Sequence, residues 1–309
     1  MHLPLPDYNQ ERAASLWVRC RLFAMPSIKH ILFPVDFSDR SDGAAPFVAA
    51  MAAKHDARVT LLTAAHAHYA GGLAGAAMID PQTILDAVQA QLDGAYLQEF
   101  AGLSVHRVTR PGEPAREIVD FAGANQVDLV MMTTHGGGPF RQLLLGSVAA
   151  KVLHDAHVPV WTTAHSGEAP DRVHLAMRKI LCAVEAGAEG VELLRWASGF
   201  SKTLGAELRL VHAVPGIEAW PEQYLSPEFV GTLRENARKT IQDLAKAADV
   251  DAPISVGTGT VPDVVRDEAI EYGSDLVVIG RGVLQGTMGR LRTHAYGIIR
   301  NAPCPVISV

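Results

Sequence analysis

The sequence predicts an α/β protein made of two tandem domains, each a doubly wound parallel five-stranded sheet with helices on both faces. Three observations lead there. The chain repeats itself over half its length, short apolar runs alternate with segments of helical spacing, and a glycine-rich stretch lies between a strand and a helix. Fully apolar strands separated by helices bury both faces of a sheet, which is the mark of parallel pairing.

The repeat is visible by eye. KHILFPVD (Lys29–Asp36) answers RKILCAVE (Arg178–Glu185), and AKHDARVTLLTAAH (Ala53–His66) answers SKTLGAELRLVHAV (Ser201–Val214). GEPAREIVDFAGANQVDLVMM (Gly112–Met132) answers GTVPDVVRDEAIEYGSDLVVIG (Gly259–Gly280), and HVPVWTT (His157–Thr163) answers PCPVISV (Pro303–Val309). A unit of this size is too long for a solenoid repeat and reads as a domain. The division expected is 25–165 and 178–309, with a linker at 166–177 inside the polar stretch AHSGEAPDRVHLAM. Residues 1–24 differ from the rest, lack the basic start and apolar core of a secretory signal, and read as an extension.

Within the first half the elements follow in order. Strands are expected at Ile31–Val35, Val59–Thr63, Val105–Thr109, Leu129–Thr133 and Val158–Thr162. Ser38 is placed to cap a first helix that carries Phe47 and Met51 on one stripe. A second helix is expected over Asp80–Phe100, a third over Glu113–Ala124 with Pro114 at its first position, and a last over Ser147–His154. In the second half Phe229, Leu233, Ala237, Ile241 and Leu244 recur at helical spacing, so Ser226–Asp249 reads as a covering helix. Five strands per half suit a flavodoxin-like doubly wound order, in which ligands bind beyond the carboxyl ends of the strands where the order reverses.

Composition narrows the function. A net charge of −6 argues against binding the phosphate backbone of nucleic acids. No run approaches the roughly 20 apolar residues of a membrane span. Cys20, Cys182 and Cys304 are scattered and form no CxxC pair, as expected in a reducing compartment, so a cytoplasmic protein is expected.

The topological rule selects two strand ends. Strand one ends in Pro34-Val35-Asp36 and strand four in Met132-Thr133-Thr134, followed by THGGGPFRQLLLGSVAAKVL from Thr134 to Leu153. Gly136, Gly137 and Gly138 offer backbone N–H groups with no Cβ in the way. Gly146-Ser147 opens the last helix, whose free N–H groups and positive dipole end suit an anion, phosphate best of all. His135 and its three glycines also look like the oxyanion loop of lipases, but no G-x-S-x-G elbow occurs in the chain. His66 and His68 share one side of an extended segment without a companion ligand at metal-site spacing.

These residues resemble the universal stress protein family: strand-Asp, G-x-P before the third helix, and G-2x-G-9x-G-[ST] after strand four. The resemblance covers Ile28 to Val309 as two copies, and LLLGSVAAKVL followed by VPV carries it most plainly. It implies ATP, with Mg, held by the glycine loop. Met132 and Thr133 fall at the base of that loop and Ala64 at an adenine contact. Asp36, with Pro34 and Val35, falls near the nucleotide, and Gly136, Gly137, Gly146, Ser147 and Val148 fall around the phosphates. The motif's first glycine is replaced by Thr133. The second half departs further: its strand-one acid is Glu185, its glycines survive as Gly280, Gly282, Gly286 and Gly289, and its Gly-Ser pair reads Arg292-Thr293. The implied function is a nucleotide-binding stress-response or signalling protein without strong catalysis, at most a weak ATPase. The competing expectation is a nucleotide-independent interaction module with a decayed site. The family's pairing through last strands implies an internal pseudo-dimer through Val158–Thr162 and Val306–Val309, and leaves a homodimer open. An ATP pyrophosphatase of the wider adenine nucleotide α-hydrolase-like fold would need SGGxDS after strand one, where this chain has DFSDRSDG.

Overall fold

The computed structural model describes residues 27–65, 80–134, 145–163, 174–187, 189–214, 226–281 and 293–309. The expectations for residues 1–24, His66, His68, Gly136, Gly137, Gly138 and Arg292, and for most of the linker, fall outside the described residues.

The first half runs β1 (His30–Pro34), α1 (Asp39–His55), β2 (Arg58–Ala65), α2 (Pro81–Gly94), β3 (Val105–Pro111), α3 (Pro114–Ala124), β4 (Leu129–Met132), α4 (Ser147–Asp155) and β5 (Val160–Thr162). The second half repeats it with β6 (Lys179–Ala183), α5 (Glu189–Leu204), β7 (Glu207–Val214), α6 (Pro227–Ala248), β8 (Ile254–Thr258), α7 (Val261–Tyr272), β9 (Leu276–Ile279), α8 (Thr293–Asn301) and β10 (Val306–Ser308).

Among the described residues the strands form one ten-stranded sheet, ordered β3-β2-β1-β4-β5-β10-β9-β6-β7-β8. Each half is parallel, and its order reverses between the first and fourth strands, so the crevice opens where β1 and β4 end. The halves join through one antiparallel pair, with Thr162 opposite Val306, Trp161 opposite Ile307 and Val160 opposite Ser308. Thr162 Oγ1 donates to Val306 O at 3.2 Å and Ser308 Oγ to Val160 O at 3.3 Å. The last strands therefore meet as the family resemblance implies.

Strand periodicity sorts the core onto the two faces of this sheet. Ile31 and Phe33 face α1, where Phe47, Val48 and Met51 are buried, while Leu32 faces Ile118, Val152 and Leu153 of α3 and α4. Both clusters contain residues of both halves, so the core runs through the join. Phe47 packs on Trp161 with centroids 5.2 Å apart, and His55 stacks on Phe200 at 6.0 Å. Each buried aliphatic side chain contributes about 1.5–3 kcal/mol.

The two halves also share a polar device. Asp128 Oδ2, just before β4, accepts from the backbone N–H groups of Lys29 and His30 at 2.8 and 2.9 Å. Asp275 Oδ2 does the same for Arg178 and Lys179 at 2.8 and 3.0 Å. A carboxylate thus fixes the start of the first strand against the fourth in each copy.

Helix starts follow their caps. Ser38, Asp80, Glu113, Ser226 and Thr260 each accept a backbone N–H of the first turn of their helix. The second helix is shorter than the expected Asp80–Phe100: it ends at Gly94. The reason lies at its carboxyl end. Arg107 takes the carbonyls of Leu92 and Ala95 at 3.0 and 2.9 Å, and Tyr96 turns the chain at φ +55°. Glu113 is the cap of α3 and not its first residue.

At the outer rims of the sheet, side chains occupy the strand backbone. The Gln89 amide accepts from Thr109 N at 3.0 Å and donates to Arg107 O at 3.5 Å along β3. Arg238 donates to Ile254 O on β8.

Candidate functional site

The crevice is assembled from four strand and helix ends. β1 leads into Val35, whose N–H donates to Leu62 O at 2.8 Å and whose carbonyl accepts from Thr63 Oγ1 at 3.1 Å. These bonds set Val35 beside the end of β2, where Ala64 lies. Asp36 is exposed, and its Oδ1 accepts from Ser38 N at 3.1 Å and from the hydroxyls of Ser38 and Ser41 at 2.6 Å each. The carboxylate therefore organises the turn that Phe37 makes at φ +56°, while Ser38 caps α1. Asp36 stays at the mouth of the crevice.

β4 ends at Met132, followed by Thr133 and Thr134, both buried. Gly146 N donates to Thr134 O at 2.8 Å, which returns the chain to the strand exit where α4 starts. β3 leads through Gly112, whose φ of +147° is glycine backbone, to Pro114 at the first position of α3. Glu113 accepts from Ala115 N and Arg116 N and pairs with Lys151 of α4 at 3.1 Å. Burial pushes its carboxyl up, but Lys151 and the two N–H groups outweigh it and hold the group below its usual value. That pair locks α3 against α4.

A cleft of about 510 Å³ lies between these ends, within the range of roughly 300–1,000 Å³ typical of small-molecule sites. Pro34, Val35, Asp36, Ala64, Met132, Thr133, Gly146, Ser147 and Val148 all line it. Every sequence-predicted site residue among the described residues is thus brought to one place; Gly136 and Gly137 lie outside them. Sequence reasoning missed Ile84 and Val88 of α2 and Ile118 of α3, which form an apolar wall. Their i, i+4 spacing was legible but does not tell a cleft wall from a core stripe.

The opposite end of the cleft is polar in one specific way. Gly146 stands at the N-cap of α4 with φ −62° and ψ +147° and provides no side-chain cap, in contrast to the five capped helices above. Among the described residues no side chain caps this start, so the first-turn N–H groups and the positive dipole end of α4 can meet an anion. Backbone donors at such a helix start, beside an apolar wall, suit an anionic group on a flat apolar body.

The same crevice in the second half is different. Its cavity is about 130 Å³, and Glu185, Glu189 and Glu192 stand around it. The same spacing separates Ile31 from Ile180 and Arg58 from Glu207. Leu193 therefore stands where the first half has Ala44, and it lines this cavity. Leu244 of the longer α6 comes within 3.3 Å of the Cβ position of Gly190. Arg281, also in the lining, turns its guanidinium away to donate to Ala156 O at 2.6 Å and Val158 O at 2.5 Å in the first half. Desolvation pulls its pKa down to about 10, which leaves it charged at neutral pH. Cys182 and Cys304 are buried, and burial pushes both thiols up to about 12, far from reactive thiolates.

Among the described residues no cluster of three His, Cys, Asp or Glu side chains could hold a metal, and no helix is long and apolar enough to cross a membrane.

Comparison with known proteins gives a consistent result. The model of the universal stress protein family matches residues 27–163 and again 177–309. A universal stress protein of Methanocaldococcus jannaschii is 33% identical over 135 residues, covering 43% of this chain and 79% of the relative. Among solved structures, a universal stress protein from Archaeoglobus fulgidus superposes with a TM-score of 0.64 at 20% identity, covering 92% of this chain and 97% of that one. A putative universal stress protein from Pseudomonas aeruginosa gives 0.61 at 17% identity, over 92% and 94% of the two chains. At these identities the superpositions speak for the fold alone.

Proposed function

The chain belongs to the universal stress protein family, and from that premise we propose that its first half binds ATP in the cleft between β1, β4 and α4. The observation that carries this reading is the uncapped start of α4, open to a cleft of about 510 Å³ with an apolar wall on its other side. The adenine would lie toward Ala64, Ile84 and Val88, and the phosphates toward Gly146, Ser147 and Val148. Asp36 would face the nucleotide from the mouth.

The residues favour binding over turnover. Asp36, whose Oδ1 is committed to the turn after β1, is the one carboxylate in the cleft lining among the described residues. Such a site binds and reports, in keeping with a cytoplasmic stress-response or signalling role. In the second half a cavity of about 130 Å³ is too small for a triphosphate. That half serves as a structural partner.

The test is a thermal-shift titration with Mg-ATP on the wild type and on Gly146→Arg. A ligand at ~100 times its dissociation constant stabilises the native state by about 2.7 kcal/mol. A rise in melting temperature in the wild type that vanishes in Gly146→Arg supports the site. No rise in an intact wild type would replace it with a nucleotide-independent interaction module.

A further inference from the structure

The helix that carries the nucleotide end of the cleft is not held by its own half alone. α4 is nine residues long, so its phosphate-facing start and its far end are about 14 Å apart. Its start is tied by Gly146 N to Thr134 O, and its first half-turn neighbour α3 grips Lys151 through Glu113. Two further ties come from the second half. Tyr296 of α8 donates to Ala150 O at 3.3 Å, in mid-helix. Arg281 donates to Ala156 O and Val158 O, the carbonyls at the turn where α4 passes into β5.

Arg281 is itself firmly placed. Its backbone N–H donates to Val309 O at 3.0 Å, beyond β10. The guanidinium presents two donors in a rigid fork, so it fixes the direction as well as the distance of the turn it grips. Among the described residues Arg281 and Tyr296 are the side chains that reach α4 from the second half. Leu129 and Leu276 hold the same register against β1 and β6, so the residue in the position of Arg281 is Thr134, a much shorter side chain. The second half thus holds the helix that carries the proposed phosphate end of the first.

We infer that Arg281, assisted by Tyr296, is a positioning residue for the nucleotide site of the first half, acting across the join through α4. The inference rests on the nucleotide site proposed above. Packed helices shift as rigid pieces, so releasing the far end of α4 alters where its N–H groups meet the phosphates. The second half is thereby part of the binding apparatus without binding nucleotide itself.

The experiment is calorimetric titration of the full chain with Mg-ATP, in wild type, Arg281→Ala, Arg281→Lys, Tyr296→Phe and Thr162→Val. Thr162→Val removes a hydrogen bond at the same join without touching α4 and serves as the control. Arg281→Ala is expected to weaken ATP binding about 3- to 10-fold. Arg281→Lys, which keeps one donor, recovers part of the loss, and Tyr296→Phe loses roughly twofold. Thr162→Val lowers the melting temperature but leaves the affinity at the wild-type value. Hydrogen exchange supplies a second readout: the protection that Mg-ATP confers on Val148–Lys151 shrinks in Arg281→Ala. Equal affinity in wild type and Arg281→Ala would overturn the brace while leaving the site intact. An equal loss in Thr162→Val would also overturn it, as a general effect of loosening the join. Absence of ATP binding by the wild type would overturn the site and the brace together. If Arg281→Ala does not fold, the Lys and Phe variants decide between the same outcomes.

Discussion

Replacing Gly146 by aspartate should stabilise the unliganded protein and abolish nucleotide binding, two effects of opposite sign from one side chain. Gly146 sits at the N-cap of α4 with φ −62° and ψ +147°, backbone that aspartate adopts without strain. Its carboxylate can accept a first-turn N–H, as Asp80 and Glu113 do for their own helices. Over glycine the cap adds a few tenths of a kcal/mol. The dipole term adds about 0.3–1 kcal/mol, and the stiffer unfolded chain about 0.4–1 kcal/mol. Together these amount to about 1–2 kcal/mol, or roughly 1.5–3 °C in a chain of this size. The same carboxylate takes the place of a phosphate and repels the rest of the polyphosphate, so affinity should fall at least about 100-fold. Differential scanning fluorimetry without nucleotide and calorimetry with Mg-ATP read the two effects separately. Wild-type ATP affinity in Gly146→Asp would refute the placement of phosphates at α4. A lower melting temperature without nucleotide would show that the N–H groups of α4 already have another partner.

Two further expectations concern stability. His30 is buried, with Nε2 2.8 Å from Thr60 Oγ1 and Nδ1 3.0 Å from Asn125 O and 3.1 Å from Arg58 Nη2. Burial, helped by the Arg58 charge, lowers its pKa from 6.5, and burial with the Lys29 and Lys54 charges lowers that of His55. The unfolded chain thus binds protons more readily than the native one below pH 6.5. Stability is full above that pH and falls as the pH drops toward the native values, with a slope of up to about 1.4 kcal/mol per pH unit for each histidine. Urea unfolding of wild type and His30→Gln between pH 5 and 8 should show a flatter curve in the variant, and parallel curves would refute the assignment. Asp128→Ala and Asp275→Ala each strand two strand-end N–H groups. Each should cost about 2–4 kcal/mol in denaturant unfolding, and a loss confined to one of them would contradict the equivalence of the two copies.

The site was legible in the sequence where its residues follow from topology. Pro34–Asp36, Met132–Thr133 and Gly146–Val148 lie at strand and helix ends that any doubly wound sheet brings to its reversal point. Ala64 came from the family resemblance, and the cleft includes it. What stayed hidden depends on contacts that no local pattern encodes. Ile84 and Val88 look the same in sequence whether they face a core or a cleft. The end of α2 at Gly94 is set by Arg107, a residue from the next strand. Arg281 escaped notice because its partners are the backbone carbonyls of Ala156 and Val158, which have no sequence signature. Only the size of the second cleft shows what Leu193 does there.

The β5–β10 join places each half permanently at the other's pairing edge, and that changes the rules under which the copies persist. Two separate chains meeting by the same strands would part on dilution, and a mutation weakening their contact would be felt as a loss of dimer. Tethered halves meet at an effective concentration on the order of millimolar, independent of how much protein the cell makes. Gln89 and Arg238 meanwhile occupy backbone groups of β3 and β8 at the two outer rims, so pairing at the join is assured within one molecule. Under those conditions one copy is free to keep a cavity of only about 130 Å³, with Leu193 in its lining, while continuing to fold with its twin. A covalent link between the copies thus separates the requirement to pair from the requirement to bind.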